Sequence, residues 1–253
     1  MKPNMRDRTV VITGGSSGIG LATARAFAAR GANVVLVARG ADRLDRAAGE
    51  CEALGARALA VPADVTDAGR MREVAAAAVR EFGRIDVWVN NAGTSLWGPF
   101  EAIPVDVQAR LVQVDLLGAV HGAHAVLPHF LAAGGCGVIV NVVSIGGRVP
   151  MPYAATYSAA KTGLAAFTDA LRFELRSHSR IAVCGVYPAY VDTPTAITSG
   201  NFTGRRLRPV PPVVPPERVA DAIVGLAVRP RRSRRVGALN AVAVAYWLAP
   251  EAH

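Results

Sequence analysis

The chain has 253 residues, 51% hydrophobic and 19% charged, which is enough apolar surface for a sizeable core and excludes a disordered chain. Its formal net charge is +9, and its three cysteines, Cys51, Cys136 and Cys184, lie far apart with no paired spacing. These features exclude a disulfide scaffold, leave no metal-ligand spacing among the five histidines, and suit a reducing, cytoplasmic setting with buried thiols.

The first apolar run, TVVIT (9–13), is far too short for a signal segment or a membrane span and reads as a buried strand. Further β-branched runs follow: NVVLVA (33–38), RALAV (57–61), DVWVN (86–90) and GVIVNVV (137–143). Between them lie Ala-rich segments with helical spacing at 18–30, 41–54, 68–82 and 105–133. A long helix over about 153–178, preceded by Pro150 and Pro152, leads into another strand, IAVCGVY (181–187). Continuous apolar strands alternating with helices predict an α/β protein with a doubly wound parallel sheet: a single domain of about seven strands with helices on both faces.

Residues 190–216 break this rhythm with Pro, Gly, Thr and Arg, and a loop of that length in a compact domain is usually functional or mobile. A short helix is expected over 217–228. The net positive charge is concentrated in RPRRSRR (229–235), which reads as a solvated loop rather than a nucleic-acid site. The tail GALNAVAVAYWLAP (237–250) is apolar but shorter than the roughly 20 residues a bilayer span needs. The preferred reading is a final strand with a subunit-interface tail. The alternative is contact of the basic run, Tyr246 and Trp247 with an anionic membrane surface.

TGGSSGIG (13–20) connects the first strand to the first helix. A Gly-rich turn there lets backbone approach a pyrophosphate, while the helix N-terminus faces its negative charge. Gly14, Ser16, Ser17, Gly18, Ile19 and Gly20 are the candidate dinucleotide contacts. An acid at the end of the second strand would accept the ribose hydroxyls and repel a 2′-phosphate. This sequence has Ala38 and Arg39 there, and Arg39 can offer a fork to a phosphate, so NADP(H) is expected over NAD(H).

Only two of the 28 basic residues are lysines, Lys2 and Lys161. Lys161 lies four residues after Tyr157, so the two share one helix face. A free tyrosine titrates at about 10, and an adjacent ammonium favours the phenolate and lowers that value. Tyr157 is then the candidate acid/base at a carbonyl or alcohol oxygen. Ser144 ends a buried strand on the crevice side and is positioned to steady an oxyanion.

In combination, these motifs resemble the short-chain dehydrogenase/reductase family over most of the chain, from about residue 8 to 223. TGGSSGIG resembles its cofactor loop, Asp64 and Val65 its adenine-contacting pair, and NNAG (90–93) its sheet-stabilising turn beside the cofactor. Ser144, Tyr157 and Lys161 match its catalytic Ser, Tyr and Lys, and Arg39 its NADP-selecting position. PAYVDT (188–193) resembles its Pro-Gly-x-x-x-Thr segment. The resemblance implies a Rossmann fold, a nucleotide held also by Asn91, Ala92, Gly93, Pro188, Val191 and Thr193, and a homodimer or homotetramer. Two positions depart from the pattern. Asp115 replaces an Asn that kinks a helix and whose carbonyl holds a water behind the Lys, and Ala189 replaces Gly. Asp115 is therefore counted with the catalytic candidates.

Trp97, Phe100, Met151, Tyr153, Tyr190 and Phe202 are the candidate walls of a substrate pocket. They favour a small hydrophobic ketone, aldehyde or secondary alcohol. The leading expectation is an NADP(H)-dependent oxidoreductase. The alternative is a non-catalytic NADP-binding sensor or scaffold on the same fold. An isomerase or epimerase fits less well, because its cofactor loop normally has different glycine spacing.

Overall fold

The apolar runs pair side by side as parallel strands. The structure, a computed structural model, describes residues 5–194, 199–208 and 211–241. β1 (Thr9–Thr13), β2 (Asn33–Ala38), β3 (Ala58–Pro62), β4 (Val87–Asn90), β6 (Gly137–Val142), β7 (Ile181–Pro188) and β9 (Ser233–Val236) form one sheet in the order β3-β2-β1-β4-β6-β7-β9. Every neighbouring pair in it is parallel. A second, two-stranded ribbon joins β5 (Leu96–Trp97) to β8 (Gly200–Asn201).

Strand alternation divides the core in two. Val10 and Ile12 of β1 pack with Phe27, Leu44 and Ile223, whereas Val11 packs with Met71, Val126 and Phe130. One face is therefore covered by α1 (Gly18–Ala28), α2 (Ala41–Glu52) and α7 (Pro216–Val228). The other is covered by α3 (Ala68–Phe82) and α5 (Gly118–Ala132), with α6 (Ala155–Glu174) packed beside them. Burying each large aliphatic side chain contributes roughly 1.5–3 kcal/mol. This explains why the strands read as unbroken apolar runs.

Local signals fix several helix ends. Asp67 caps α3 by accepting from the Arg70 N–H at 3.0 Å, and Gly83 closes it at φ 77°. The helix expected over 105–133 is divided. α4 (Val105–Val112) runs into a π-helical turn, Gln113–Leu117, before α5 begins. By length and hydropathy the stretch Val105–Ala132 could cross a membrane, but α5 supplies Ala123, Val126 and Phe130 to the core.

Two expectations are corrected. The basic run is not a solvated loop throughout: its second half forms β9, which pairs with β7 from Gly185↔Ser233 to Pro188↔Val236. The open edge of β7 supplies backbone partners, Arg234 and Arg235 stay exposed, and Val236 is buried. Arg232 is tied down as well, 2.8 Å from Asp169, while Arg172 bonds Asp169 and the Arg232 carbonyl. A strand thus lies in the basic run, and most of the apolar tail, 242–250, lies outside the described residues. Of the thiols, Cys51 and Cys184 are buried but Cys136 is exposed, and burial pushes Cys51 up to about 11. Tyr246 and Trp247 lie outside the described residues.

Asp169 carries an acid-sensitive share of this edge. Burial alone would raise its carboxyl, but hydrogen bonds from Arg232 and Arg172 more than offset that and hold it below the ordinary value. A depressed carboxyl stabilises the fold above its unfolded-state pKa and loses that contribution as pH falls through its folded-state value. Asp169→Asn is therefore expected to lower Tm at neutral pH by a few degrees, about 1 kcal/mol or less for so exposed a pair. The deficit should shrink as melts are taken to progressively lower pH; a deficit that does not change with pH would exclude the ion pair as its source.

Candidate active site

The strand order reverses between β2 and β4 on either side of β1, which opens a crevice beyond the strand C-termini. A cleft of about 300 Å³ lies there. Gly14, Ser16, Ser17, Gly18 and Ile19 form one wall, Asn91, Ala92 and Gly93 the floor, and Ser144, Tyr157 and Lys161 the opposite wall. Pro188, Val191 and Thr193 also line it.

The glycine loop owes its shape to close packing. Gly14 has φ 67°, and a Cβ on Gly20 would sit 2.1 Å from the Gly14 carbonyl oxygen. Gly20 is therefore the floor beneath the loop rather than part of the cleft lining. Thr13 and Asn91 hold the loop to the end of β4. The Asn91 side chain donates to the Thr13 carbonyl at 2.9 Å, and the Asn91 and Ala92 N–H groups both donate to Thr13 Oγ1 at 3.0 Å.

Deeper in the fold, a buried polar chain joins the strands to α6. Trp88 donates to Asn90 Oδ1 (2.8 Å), Asn90 to Asn141 Oδ1 (2.9 Å), Asn141 to Thr168 Oγ1 (2.8 Å) and Thr168 to the Leu164 carbonyl (2.6 Å). Every link is satisfied, so the network fixes the height of α6 against β4 and β6.

Tyr157 and Lys161 stand one turn apart on α6, with Lys161 Nζ 5.9 Å from the Tyr157 ring centroid. The short turn Ile145–Gly147 presses against them: a Cβ on Gly146 would meet the Tyr157 ring at 3.0 Å, and one on Gly147 the Lys161 carbonyl at 2.6 Å. Ser144 opens that turn at φ 151°, a backbone region that side-chain-bearing residues rarely adopt. Its Oγ accepts from the Gly146 N–H at 3.0 Å, and Ser144 hydrogen-bonds the Tyr157 phenol.

Lys161 is 5% exposed, donates to the Val142 carbonyl at 3.3 Å, and faces Asp115 Oδ2 at 3.2 Å. Asp115 is 1% exposed and sits in the π turn, where its other oxygen accepts from the Thr94 N–H at 2.7 Å. Burial pushes the Asp115 carboxyl above its ordinary value, against the pull of Lys161 and Thr94. Burial would lower Lys161, but Asp115, with Tyr157, holds it above the ordinary lysine value.

The expected net depression of Tyr157 does not occur in this structure. Burial raises the phenol most; Lys161 and Ser144 pull it down, and Asp115 and Tyr190 push it up again. Lys161 acts in the expected direction, but its charge is largely met by Asp115.

The nucleotide candidates at the far edge are placed differently from the rest. Arg39 is exposed at the end of β2, outside the cleft lining, with no hydrogen bond or ion pair among the described residues. Asp64, beyond the end of β3, accepts from the Thr66 N–H (2.9 Å), the Thr66 hydroxyl (2.8 Å) and Arg110 (2.5 Å). Burial would raise the Asp64 carboxyl, but Thr66 and then Arg110 hold it below its ordinary value. Val65 is buried under the helix that carries Asp115, where a Cβ on Gly118 would meet it at 2.7 Å.

Of the expected pocket walls, Trp97, Met151 and Tyr190 line the cleft. Phe100 and Tyr153 point to solvent at 64% and 65% exposure, and Phe202 packs on Gly98 outside the lining. Sequence reasoning missed Arg110, Arg208 and the Ser95–Ser199 pair. Both serines and Arg208 line the cleft, and the Ser95 and Ser199 hydroxyls are 2.5 Å apart. No sequence signal separated these two arginines from the many others.

A dinucleotide suits this cleft: the N-terminus of α1 opens on it and no carboxylate lines it among the described residues. The short chain dehydrogenase family model matches residues 8–202. The chain is 42% identical over 243 residues to the cis-4-hydroxycyclohexanecarboxylate dehydrogenase of Sinomonas cyclohexanicum, covering 93% of this chain and 95% of that protein. A Mycobacterium paratuberculosis short chain dehydrogenase solved with NAD superposes with TM-score 0.82 at 26% identity, covering 92% of this chain and 97% of the other. A variant of the actinorhodin polyketide ketoreductase solved with NADPH gives the same TM-score and coverages at 29% identity. The family match spans most of the chain, so the chain belongs to the short-chain dehydrogenase/reductase family of oxidoreductases.

Proposed function

We propose that the chain is an NADP(H)-dependent oxidoreductase acting between a hydrophobic ketone or aldehyde and the corresponding alcohol, with Tyr157 as the acid/base. The observation that carries this reading is the placement of Ser144, Tyr157 and Lys161 on one wall of the cleft that the glycine loop closes from the other side. A bound nicotinamide would supply or accept the hydride. Tyr157 Oη then donates its proton to the substrate oxygen in reduction and takes it back in oxidation. Ser144 Oγ accepts from Gly146 and its hydroxyl bonds the Tyr157 phenol; with substrate bound, that hydrogen would turn to the developing oxyanion. Lys161 stabilises the phenolate and keeps its ammonium because Asp115 faces it. Apolar walls at Trp97, Met151 and Tyr190 support a substrate that is apolar around the reacting carbon. The relative acting on a hydroxylated cyclohexane ring supports a cyclic secondary alcohol.

Preference for NADP(H) rests on the adenosine end. No acid follows β2, Arg39 stands exposed there, and Asp64 of the adjoining edge is already paired with Arg110. Arg39→Ala is expected to raise KM for NADPH roughly tenfold while leaving that for NADH nearly unchanged. Equal changes for the two nucleotides would overturn the preference.

The central test is a panel of cyclic and aromatic ketones assayed with NADPH. Tyr157→Phe is expected to lower kcat by roughly 10²–10⁴-fold while nucleotide binding, read by fluorescence, persists. Nucleotide binding without turnover in the unsubstituted protein would instead identify a sensor.

Asp115 sets the pH range of the reaction. Its charge raises Tyr157 directly, but it also holds Lys161 as the ammonium that lowers Tyr157. In the alcohol-oxidation direction, the acid limb of the pH–rate profile is expected to move to higher pH in Asp115→Asn, because the Lys161 contribution is the larger of the two. A limb that moves to lower pH would mean that Lys161 keeps its ammonium without Asp115.

A further inference from the structure

Among the described residues, the cleft lining contains two cations and no carboxylate. Lys161 has its counter-ion behind it, with Asp115 at 3.2 Å. Arg208 has none: it is exposed and makes no hydrogen bond or ion pair among the described residues. The segment that carries it is anchored to the apolar wall. Gly200 and Asn201 pair with Leu96 and Trp97, and the Phe202 N–H donates to the Trp97 carbonyl at 2.7 Å. The Asn201 side chain then accepts from Thr203 and donates to the Arg205 carbonyl at 2.7 Å, which turns the chain toward Leu207 and Arg208. Those two residues line the cleft together with Trp97, Met151 and Tyr190.

An unpaired guanidinium on an apolar cleft wall is suited to an anionic ligand, for which its planar fork gives a directed, charge-assisted contact. The pyrophosphate of a dinucleotide has its own partners in the glycine loop and the N-terminus of α1. We propose that Arg208 binds a carboxylate carried by the substrate, so that the natural substrate class is an apolar ketone or secondary alcohol bearing an acid group away from the reacting carbon. This assignment rests on the oxidoreductase reading above and narrows its substrate.

The test compares 4-oxocyclohexanecarboxylate with the neutral 4-oxocyclohexanecarboxamide, using NADPH and the full chain, for the unsubstituted protein and for Arg208→Gln. The acid is expected to have a kcat/KM roughly tenfold or more above that of the amide, and Arg208→Gln is expected to bring the ratio close to one. NADPH dissociation, followed by fluorescence, is expected to be the same in both proteins. No preference for the acid in the unsubstituted protein would overturn the proposal. So would an Arg208→Gln protein that keeps the acid preference but binds NADPH more weakly, because the anion would then be a nucleotide phosphate. If neither compound turns over, thermal shift with NADPH present decides separately. Stabilisation by the acid alone, lost in Arg208→Gln, upholds the carboxylate site while the catalytic reading falls; no such stabilisation overturns both.

Discussion

The buried contact between Asp115 and Lys161 determines how the rest of the site is arranged. Each charge taken out of water costs several kcal/mol unless it is met, so neither side chain is tolerable at this depth alone. Meeting that requirement draws four parts of the chain to one point. The π turn brings Asp115 inward, the turn after β4 supplies the Thr94 N–H, the end of β6 supplies the Val142 carbonyl, and α6 supplies Lys161. Gly93 fits against the pair because a Cβ there would lie 3.3 Å from Lys161 Nζ and 3.4 Å from Asp115 Oδ2. Tyr157, one helical turn from Lys161, takes its position from this constraint.

The chain of amides and hydroxyls from Trp88 to Leu164 does related work without charge. It bonds β4 to β6 and β6 to α6 below the cleft, among residues with almost no solvent exposure. An unpaired polar group at that depth would cost about 1–3 kcal/mol, so the network is favourable only when every member is aligned. That alignment sets the height of α6 relative to the strand ends where Ser144 and Asn91 emerge. The wall that carries Tyr157 and Lys161 is thereby held by this polar chain, and the glycine loop by the neighbouring Thr13–Asn91 bonds.

The sheet was legible because its strands are buried on both faces and so read as apolar runs. Tyr157 and Lys161 were legible because helical spacing places them together and lysine is so rare here. β9 was hidden because two of its four residues are arginines, and only the open edge of β7 makes them strand. The π turn in QVDLL has no Gly or Pro to announce it; Asp115 was flagged by resemblance alone. The upward direction of the Tyr157 shift comes from burial first and then from Asp115 and Tyr190, which are distant in sequence, so local spacing gave only the Lys161 contribution. Phe100 and Tyr153 show the same limit: being aromatic near the cleft did not determine which way they point.

The use of lysine at position 161, in a chain that otherwise writes arginine, follows from the space available. Nζ has the Val142 carbonyl at 3.3 Å, Asp115 Oδ2 at 3.2 Å and the Gly93 backbone close by. An ammonium fits there as a compact charge whose donors can turn toward each partner. A guanidinium would bring a rigid plane of five donors to a position where the side chain is buried, and any donor left unpaired would carry a desolvation cost. Arg208 is in the reverse setting: it is exposed on the cleft wall, with no carboxylate among the described lining residues. The two cations among the described lining residues thus differ in surroundings, one enclosed by the protein and the other open to solvent.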